Sequence, residues 1–211
     1  MPYTLIEGRF HIHDPDHPKR GPEPDGDTLK FEPKDPLLVE GLVRQWRAPA
    51  FNRKKMINIR FEGIDALETH YSGGHQNLHW AIAARSRLLE LVGFGTVRFF
   101  DDSPHHVERV ENHPIEGWIL AQTLDANGRI VGFVCTGKAP YVDGTILHLD
   151  EDLLDDSLNA MLLNTGFAYP SFYSTLPTDL RPLMAEKARN ARANRLGLWK
   201  DATADPKGAK R

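Results

Sequence analysis

Cysteine is almost absent from this sequence, and the spacings that bind zinc are absent as well. Cys135 is the one cysteine in 211 residues, so an internal disulfide is excluded. No Cys-x-x-Cys pair or mixed Cys/His spacing accompanies it, which gives no indication of a structural zinc site. We therefore expect Cys135 to be a small buried apolar residue.

The opening of the chain lacks the features that direct a protein to a membrane. Residues 1–10 contain neither a positively charged start nor a long apolar run, so neither a secretory signal nor a membrane anchor is predicted there. We expect a cytoplasmic protein that does not associate with membranes, with export by another route left open. No protein partner is inferred.

Positive charge is not in excess, because 26 Lys and Arg stand against 29 Asp and Glu, a formal net charge of −3. Domains that bind nucleic acid through bulk charge are usually basic, so any such contact here must be local. One group of cations surrounds Trp46 and Phe51, and we call it the basic segment: Arg44, Arg47, Arg53, Lys54 and Lys55. The simpler interpretation of this segment is a solvated loop.

The length and the 40% hydrophobic content suit one globular domain better than two. No internal repeat is present. We assign residues 1–200 to the domain and residues 201–211 to a polar tail that we expect to be disordered.

Hydrophobic periodicity predicts strands mixed with helices. Leu29 and Phe31 alternate with polar residues, as do the apolar residues of 57–62. The further predicted elements are a strand at 96–100, a hairpin at 118–135 around Asn127-Gly128, and helices at 76–92, 152–164 and 180–196. Five or so short strands and three helices indicate an α+β fold, a small barrel with helices packed outside.

Carboxylate side chains lie at the start of one predicted strand and just after the end of another. Asp25-Gly26-Asp27-Thr28 opens the first strand, and Asp65 and Glu68 follow the second. Carboxylates from separate strands can hold one oxygen-preferring cation. An Asp-Gly-Asp run is also typical of a solvated turn, and Asp65 and Glu68 could merely cap a loop.

Two arginines strengthen the functional interpretation. Arg60 precedes the second acidic group on its strand, and Arg129 directly follows the Asn127-Gly128 turn. A phosphodiester builds negative charge as it reacts, and guanidinium groups bind such charge through paired hydrogen bonds. The alternative for either residue is an ordinary surface arginine.

In order, these motifs resemble those of the staphylococcal-nuclease (thermonuclease-like) family. That family carries Asp-Gly-Asp-Thr, then an Arg ahead of a segment that ends in Pro-Glu, then an aromatic-Gly-Arg or Asn-Gly-Arg turn. This sequence has Asp25-Gly26-Asp27-Thr28, the run from Arg60 to Thr69, and Asn127-Gly128-Arg129. The resemblance extends to residues 185–188 and 195–199, so it covers the chain from about Asp25 to Trp199.

The resemblance implies a five-stranded OB-type barrel with three helices, and a nuclease that cleaves DNA or RNA to 3′-phosphate products. It implies a calcium ion, or another divalent cation, held by Asp27, Asp65 and the main-chain carbonyl of Ala66. Glu68 would be the general base for the attacking water. Arg60 and Arg129 would clamp the phosphate.

The aromatic residues near Gly166 match the segment in which family members place tyrosines against substrate. Tyr169 and Tyr173 are the expected contacts, because a phenol keeps one polar end in water. Core packing is the alternative for both.

The sequence departs from the family pattern in several places. Leu67 replaces the proline before Glu68, so the loop that holds Glu68 is expected to be looser. Two insertions, at about 33–56 and 101–116, are expected as long loops. The first contains the basic segment, which we expect to grip the substrate backbone. His105, His106 and His113 of the second leave open a second metal site, although solvated histidines are the simpler interpretation.

Two rival functions remain at this stage. One is a barrel without catalytic activity that binds nucleic acid or serves as a scaffold. The other is a phosphohydrolase that acts on small phosphates or nucleotides. Calcium dependence also fits poorly with a cytoplasm that is low in free calcium.

Overall fold

The computed structural model describes residues 2–44, 46–69 and 77–201. The strands are β1 (Tyr3–His11), β2 (Thr28–Pro33), β3 (Val43–Arg44), β4 (Ile57–Phe61), β5 (Ile64–Asp65), β6 (Val97–Phe100), β7 (Ser103–Val110), β8 (Ile115–Leu124), β9 (Ile130–Thr136), β10 (Ile146–Leu147) and β11 (Tyr169–Pro170). The helices are α1 (Pro36–Glu40), α2 (Leu78–Val92), α3 (Glu151–Asp155), α4 (Leu158–Thr165) and α5 (Leu180–Ala193). Across these ranges no helix has the length and apolar character needed to cross a membrane. The expected polar tail, from residue 202 onward, lies outside the described residues.

Five strands form a closed barrel in the order β1-β2-β4-β9-β8, and pairing between β1 and β8 closes the ring. The neighbouring strands are antiparallel except β4 and β9, which run parallel. Leu29, Phe31, Ile57 and Ile59 point into the core, as their alternation predicts. The expected α+β fold with a five-stranded barrel is therefore confirmed.

The strand β1 is absent from the sequence-based prediction, yet it pairs on both sides and is central to the barrel. Its neighbours approach closely. A Cβ atom at Gly8 would lie 2.3 Å from the carbonyl oxygen of Glu32, and one at Gly117 would lie 2.4 Å from the Phe10 ring. Backbone and ring thus occupy the space that two side chains would need.

The predicted helices differ from the observed ones mainly at their ends. Helix α2 begins after Asn77, whose side chain accepts the main-chain N–H of Trp80, and it ends at Gly93, which has a left-handed conformation (φ 96°). The helix predicted at 152–164 is two helices, because α3 ends at Asp155 and Ser157 caps the start of α4 by accepting the N–H of Ala160. Helix α5 ends at Ala193 rather than Leu196.

The two segments predicted as long loops contain regular structure. Residues 33–56 include α1 and the short strand β3, which pairs with β8. Residues 101–116 contain β7, which forms a separate two-stranded sheet with β6. The loop prediction for 101–116 was therefore wrong over β7, where only Val107 and Val110 are apolar in a run of eight residues.

Candidate active site

The two acidic motifs meet at Asp27. Its Oδ2 accepts the main-chain N–H of Ala66 at 3.1 Å, and its Oδ1 accepts the hydroxyl of Thr28 at 3.2 Å. Its side chain is 8% exposed. Main-chain pairing of Thr28 with Arg60 sets β2 against β4 beside this point. The structure thus joins the start of β2 to the segment after β5, as the resemblance implies.

Four carboxylates influence one another here. Burial, together with the negative charges of Asp65 and Asp25, raises the pKa of Asp27 to about 7. Burial and the charges of Asp25 and Asp65 also raise the pKa of Glu68, whereas Arg60 and Arg129 act in the opposite direction. Asp25, Asp65 and Arg60 therefore act on both Asp27 and Glu68, and Arg129 acts on Glu68.

Asp25 is the member of this group that the sequence analysis did not assign a role. Its Oδ1 accepts the N–H of Gly26 at 2.9 Å and that of Thr69 at 3.5 Å. It therefore connects the first acidic motif to the end of the second. The Asp-Gly-Asp pattern contained it, but nothing in the pattern distinguished the roles of the two aspartates.

The donors available here suit a hard cation, because carboxylate and main-chain carbonyl oxygens are the ligands that calcium prefers. The implied set has two carboxylates, Asp27 and Asp65, completed by the carbonyl of Ala66. No group of three or more His, Cys, Asp or Glu side chains with metal-holding geometry occurs in the described parts of the chain. Asp27 is buried beside Asp25 and Asp65, and a bound cation would offset the negative charge gathered there.

Arg60 lies against Tyr173. One terminal nitrogen, Nη2, donates to the Tyr173 hydroxyl at 2.7 Å, and Cζ lies 4.6 Å from the centre of the ring. The hydroxyl and the ring face therefore both hold the guanidinium.

Arg129 is held by the turn that carries it. The Asp125 carboxylate accepts the main-chain N–H groups of Asn127 and Arg129, each at 2.9 Å, and the Arg129 Nε at 2.7 Å. Gly128 has a left-handed conformation (φ 77°), which the Asn-Gly dipeptide predicted. One carboxylate thus fixes both the turn and the side chain.

Both arginines line one cavity of about 280 Å³. The cavity is also lined by the side chains of Asp125, Asn127 and Tyr173. Asp27, Asp65 and Glu68 are not among its lining residues. The site thus has two parts, a cavity with two guanidinium groups and an acidic cluster next to it.

Glu62 also lines this cavity and was missed by the sequence analysis. It is 3% exposed, and it accepts a hydrogen bond from the Tyr3 hydroxyl at 3.1 Å. Burial raises its pKa to about 7. Gln122 donates to Tyr3 at 3.3 Å and to the carbonyl of Thr175 at 2.9 Å, so a buried polar network lies beneath the cavity.

The two tyrosines have different surroundings. Tyr173 lines the cavity and is exposed. Tyr169 is only 4% exposed, pairs with Asp65 through β11 and β5, and packs edge to face on Trp199 at 5.1 Å. The expectation that Tyr169 contacts substrate is therefore corrected to core packing, because its ring is enclosed by neighbouring side chains.

The histidines of 101–116 do not form a common site. His106 Nδ1 lies 2.8 Å from the Ser103 hydroxyl, and its Nε2 lies 3.1 Å from Glu23. His113 instead accepts the N–H of Ile12 at 3.3 Å. These partners tie the two rings to different parts of the fold.

The family model described as staphylococcal nuclease homologue matches residues 58–201. No curated protein matches the chain significantly.

Proposed function

The chain belongs to the staphylococcal nuclease homologue family, and we propose that it is a metal-dependent phosphodiesterase that cleaves DNA or RNA. One observation supports this most directly. Arg60 and Arg129, from strand β4 and from the β8–β9 turn, line the same cavity beside a cluster of carboxylates. Two guanidinium groups next to an acidic cluster suit an anion with a cation beside it.

In the proposed reaction, Arg60 and Arg129 bind the non-bridging oxygens of the scissile phosphate. Their charge balances the negative charge that develops as water adds to phosphorus. Glu68 accepts a proton from that water, and the raised pKa of its carboxyl brings it closer to that role. The bond from phosphorus to the 5′ oxygen breaks, and that oxygen takes up a proton from a solvent water, which leaves a 3′-phosphate and a free 5′-hydroxyl.

Asp27, Asp65 and the carbonyl of Ala66 are the proposed ligands of a divalent cation, with calcium as the first candidate. The bound cation would polarise a phosphoryl oxygen and position the water. Asp27 already accepts the N–H of Ala66, so this hydrogen bond fixes the two proposed ligands relative to each other.

The test is cleavage of end-labelled single-stranded DNA and RNA with calcium, magnesium or a chelator. Arg60→Ala should lower kcat by roughly 10²–10³-fold, the usual effect of removing one group that stabilises transition-state charge. Arg98→Ala is the matched control, because Arg98 is an exposed arginine paired with Glu108 away from the cavity. Binding of both nucleic acids without cleavage under any metal condition would overturn the proposal in favour of a binding module.

A further inference from the structure

The stretch that contains the basic segment contacts the barrel just before the turn that carries Arg129 and within that turn. Arg44 of β3 pairs with Leu124, the residue before the turn. The N–H of Ala50 donates to the carbonyl of Gly128 within the turn at 2.9 Å. Residues 46–49 therefore lie beside the β8–β9 turn, and Gln45 lies outside the described residues.

This arrangement places the main chain of Trp46 near the turn that carries Arg129. It follows Arg44 by two residues, so its Cα lies within about 8 Å of the Arg44 Cα. Its side chain is 84% exposed. An indole face that is open to water can stack on a nucleic-acid base of any type.

The cations of this segment differ in their partners. Lys54 Nζ lies 2.9 Å from Asp14 and 3.1 Å from Asp16, so two carboxylates already neutralise it. Within the described ranges, no ion pair involves Arg47 or Arg53. Lys54 is therefore removed from the five cations that we expect to contact the substrate backbone, whereas Arg47 and Arg53 remain available for phosphates.

We propose that Trp46 and Arg47 form a subsite for single-stranded nucleic acid, directly beside the scissile phosphate. An unpaired base stacks on the Trp46 indole, and Arg47 contacts the adjoining phosphate. A duplex would fit poorly, because each of its bases is already covered on both faces by neighbours. This inference rests on the proposed function, since it assigns the substrate class of the same site.

The test measures binding and chemistry separately. Binding is followed with a fluorescein-labelled single-stranded oligonucleotide and with the matching duplex, both in chelator. Chemistry is followed with bis(p-nitrophenyl) phosphate, a small phosphodiester that carries neither a nucleobase nor a second phosphate. The variants are Trp46→Ala, Trp46→Phe and Arg47→Ala, with Val142→Ala and Lys54→Ala as controls for an exposed apolar residue and a paired cation.

Trp46→Ala should weaken binding of the single strand by roughly tenfold, the effect of losing one stacked base. Trp46→Phe should retain most of the affinity, and Arg47→Ala should weaken binding and flatten its salt dependence. Neither control variant should change affinity. Hydrolysis of the small diester should be unchanged in both control variants. In Trp46→Ala and Arg47→Ala, any change in this rate should be smaller than the loss of single-strand affinity.

Unchanged single-strand affinity in Trp46→Ala would overturn the inference while leaving the proposed function intact. An equal loss of affinity for the duplex would also overturn it, because general electrostatics would then explain the effect. If the protein bound the single strand through Trp46 but hydrolysed neither substrate with any metal, the subsite would stand and the proposed function would fail.

Discussion

Arg60 and Tyr173 are joined twice, by a hydrogen bond of 2.7 Å and by the position of the guanidinium 4.6 Å from the ring centre. They lie on β4 and on the segment after β11, far apart in sequence. Tyr173 therefore restricts the orientation of Arg60 before any substrate binds.

Tyr173→Phe should lower kcat/KM for the oligonucleotide by roughly fivefold, because the variant loses one hydrogen bond to a charged group. Tyr173→Ala should lower it further, since the ring contact is lost as well. Steady-state kinetics with purified variants measure both effects. Tyr141→Phe is the control, because Tyr141 is an exposed tyrosine outside this cavity. Equal activity of Tyr173→Phe and wild type would contradict the positioning role.

Asp125→Asn should reduce kcat/KM by roughly tenfold through Arg129. Asparagine can still accept the two main-chain hydrogen bonds of the turn, but it removes the carboxylate that holds the Arg129 Nε at 2.7 Å. Misplacement of a phosphate-binding group is costly in rate.

A double-mutant cycle separates this effect from general damage to the fold. In an Arg129→Ala background, Asp125→Asn should cause little further loss of kcat/KM, because the group on which it acts is gone. Additive losses would show that Asp125 acts by another route.

Glu62→Gln should stabilise the protein at alkaline pH. Burial raises the folded-state pKa of Glu62 to about 7, from its ordinary value of 4.5. Between these values the folded state retains a proton that the unfolded state releases, so stability falls as the pH rises. Glutamine at this position can still accept the hydrogen bond from the Tyr3 hydroxyl. Because glutamine does not ionise, the loss of stability with rising pH disappears.

The thermal midpoint of Glu62→Gln minus that of wild type should therefore increase between pH 5 and pH 8. At pH 8 the free energy of unfolding of Glu62→Gln should exceed that of wild type by on the order of 1–3 kcal/mol. Glu108→Gln, at an exposed ion pair, serves as the comparison variant. A difference that stays constant over this pH range would mean that Glu62 ionises normally in the folded protein.

Gly26→Ala should disturb the acidic cluster. A Cβ atom at position 26 would lie 2.6 Å from the Ala66 Cβ, so residue 66 must move and its hydrogen bond to Asp27 must lengthen. We expect a loss of about 1–3 kcal/mol in the free energy of unfolding, together with weaker activity. Calorimetry and cleavage assays measure the two effects.

The double variant Gly26→Ala with Ala66→Gly should recover much of both losses, because it removes the opposing methyl group. Gly41→Ala is the control, since the nearest atoms to a Cβ there lie at 3.6 Å. Failure of the double variant to recover would place the damage elsewhere.

The parts of the site that the sequence predicted are those encoded locally. Alternation identified β2 and β4, and the Asn127-Gly128 dipeptide identified the turn that presents Arg129. The proximity of the acids to the arginines followed from the family resemblance, not from periodicity. Glu62 could not be found in this way, because its contacts Tyr3 and Gln122 come from β1 and β8.

Two errors in the fold prediction have physical causes that hydrophobic periodicity cannot detect. Leu5 and Ile6 are adjacent and both buried, which interrupts the alternation that would have indicated β1. Apolar residues continue at helical spacing through Leu154 and Leu158, which hides the break that Ser157 makes by capping α4.

The closure of the barrel by β1 has a consequence for synthesis. Residues 4–10 pair with residues 115–121, so β1 leaves the ribosome about a hundred residues before the strand that covers its second edge. Contacts so distant in sequence are slow to form, and an uncovered edge can pair with other chains. The ring can therefore close only after β8 has emerged, and until then one edge of β1 stays open to pairing with other chains.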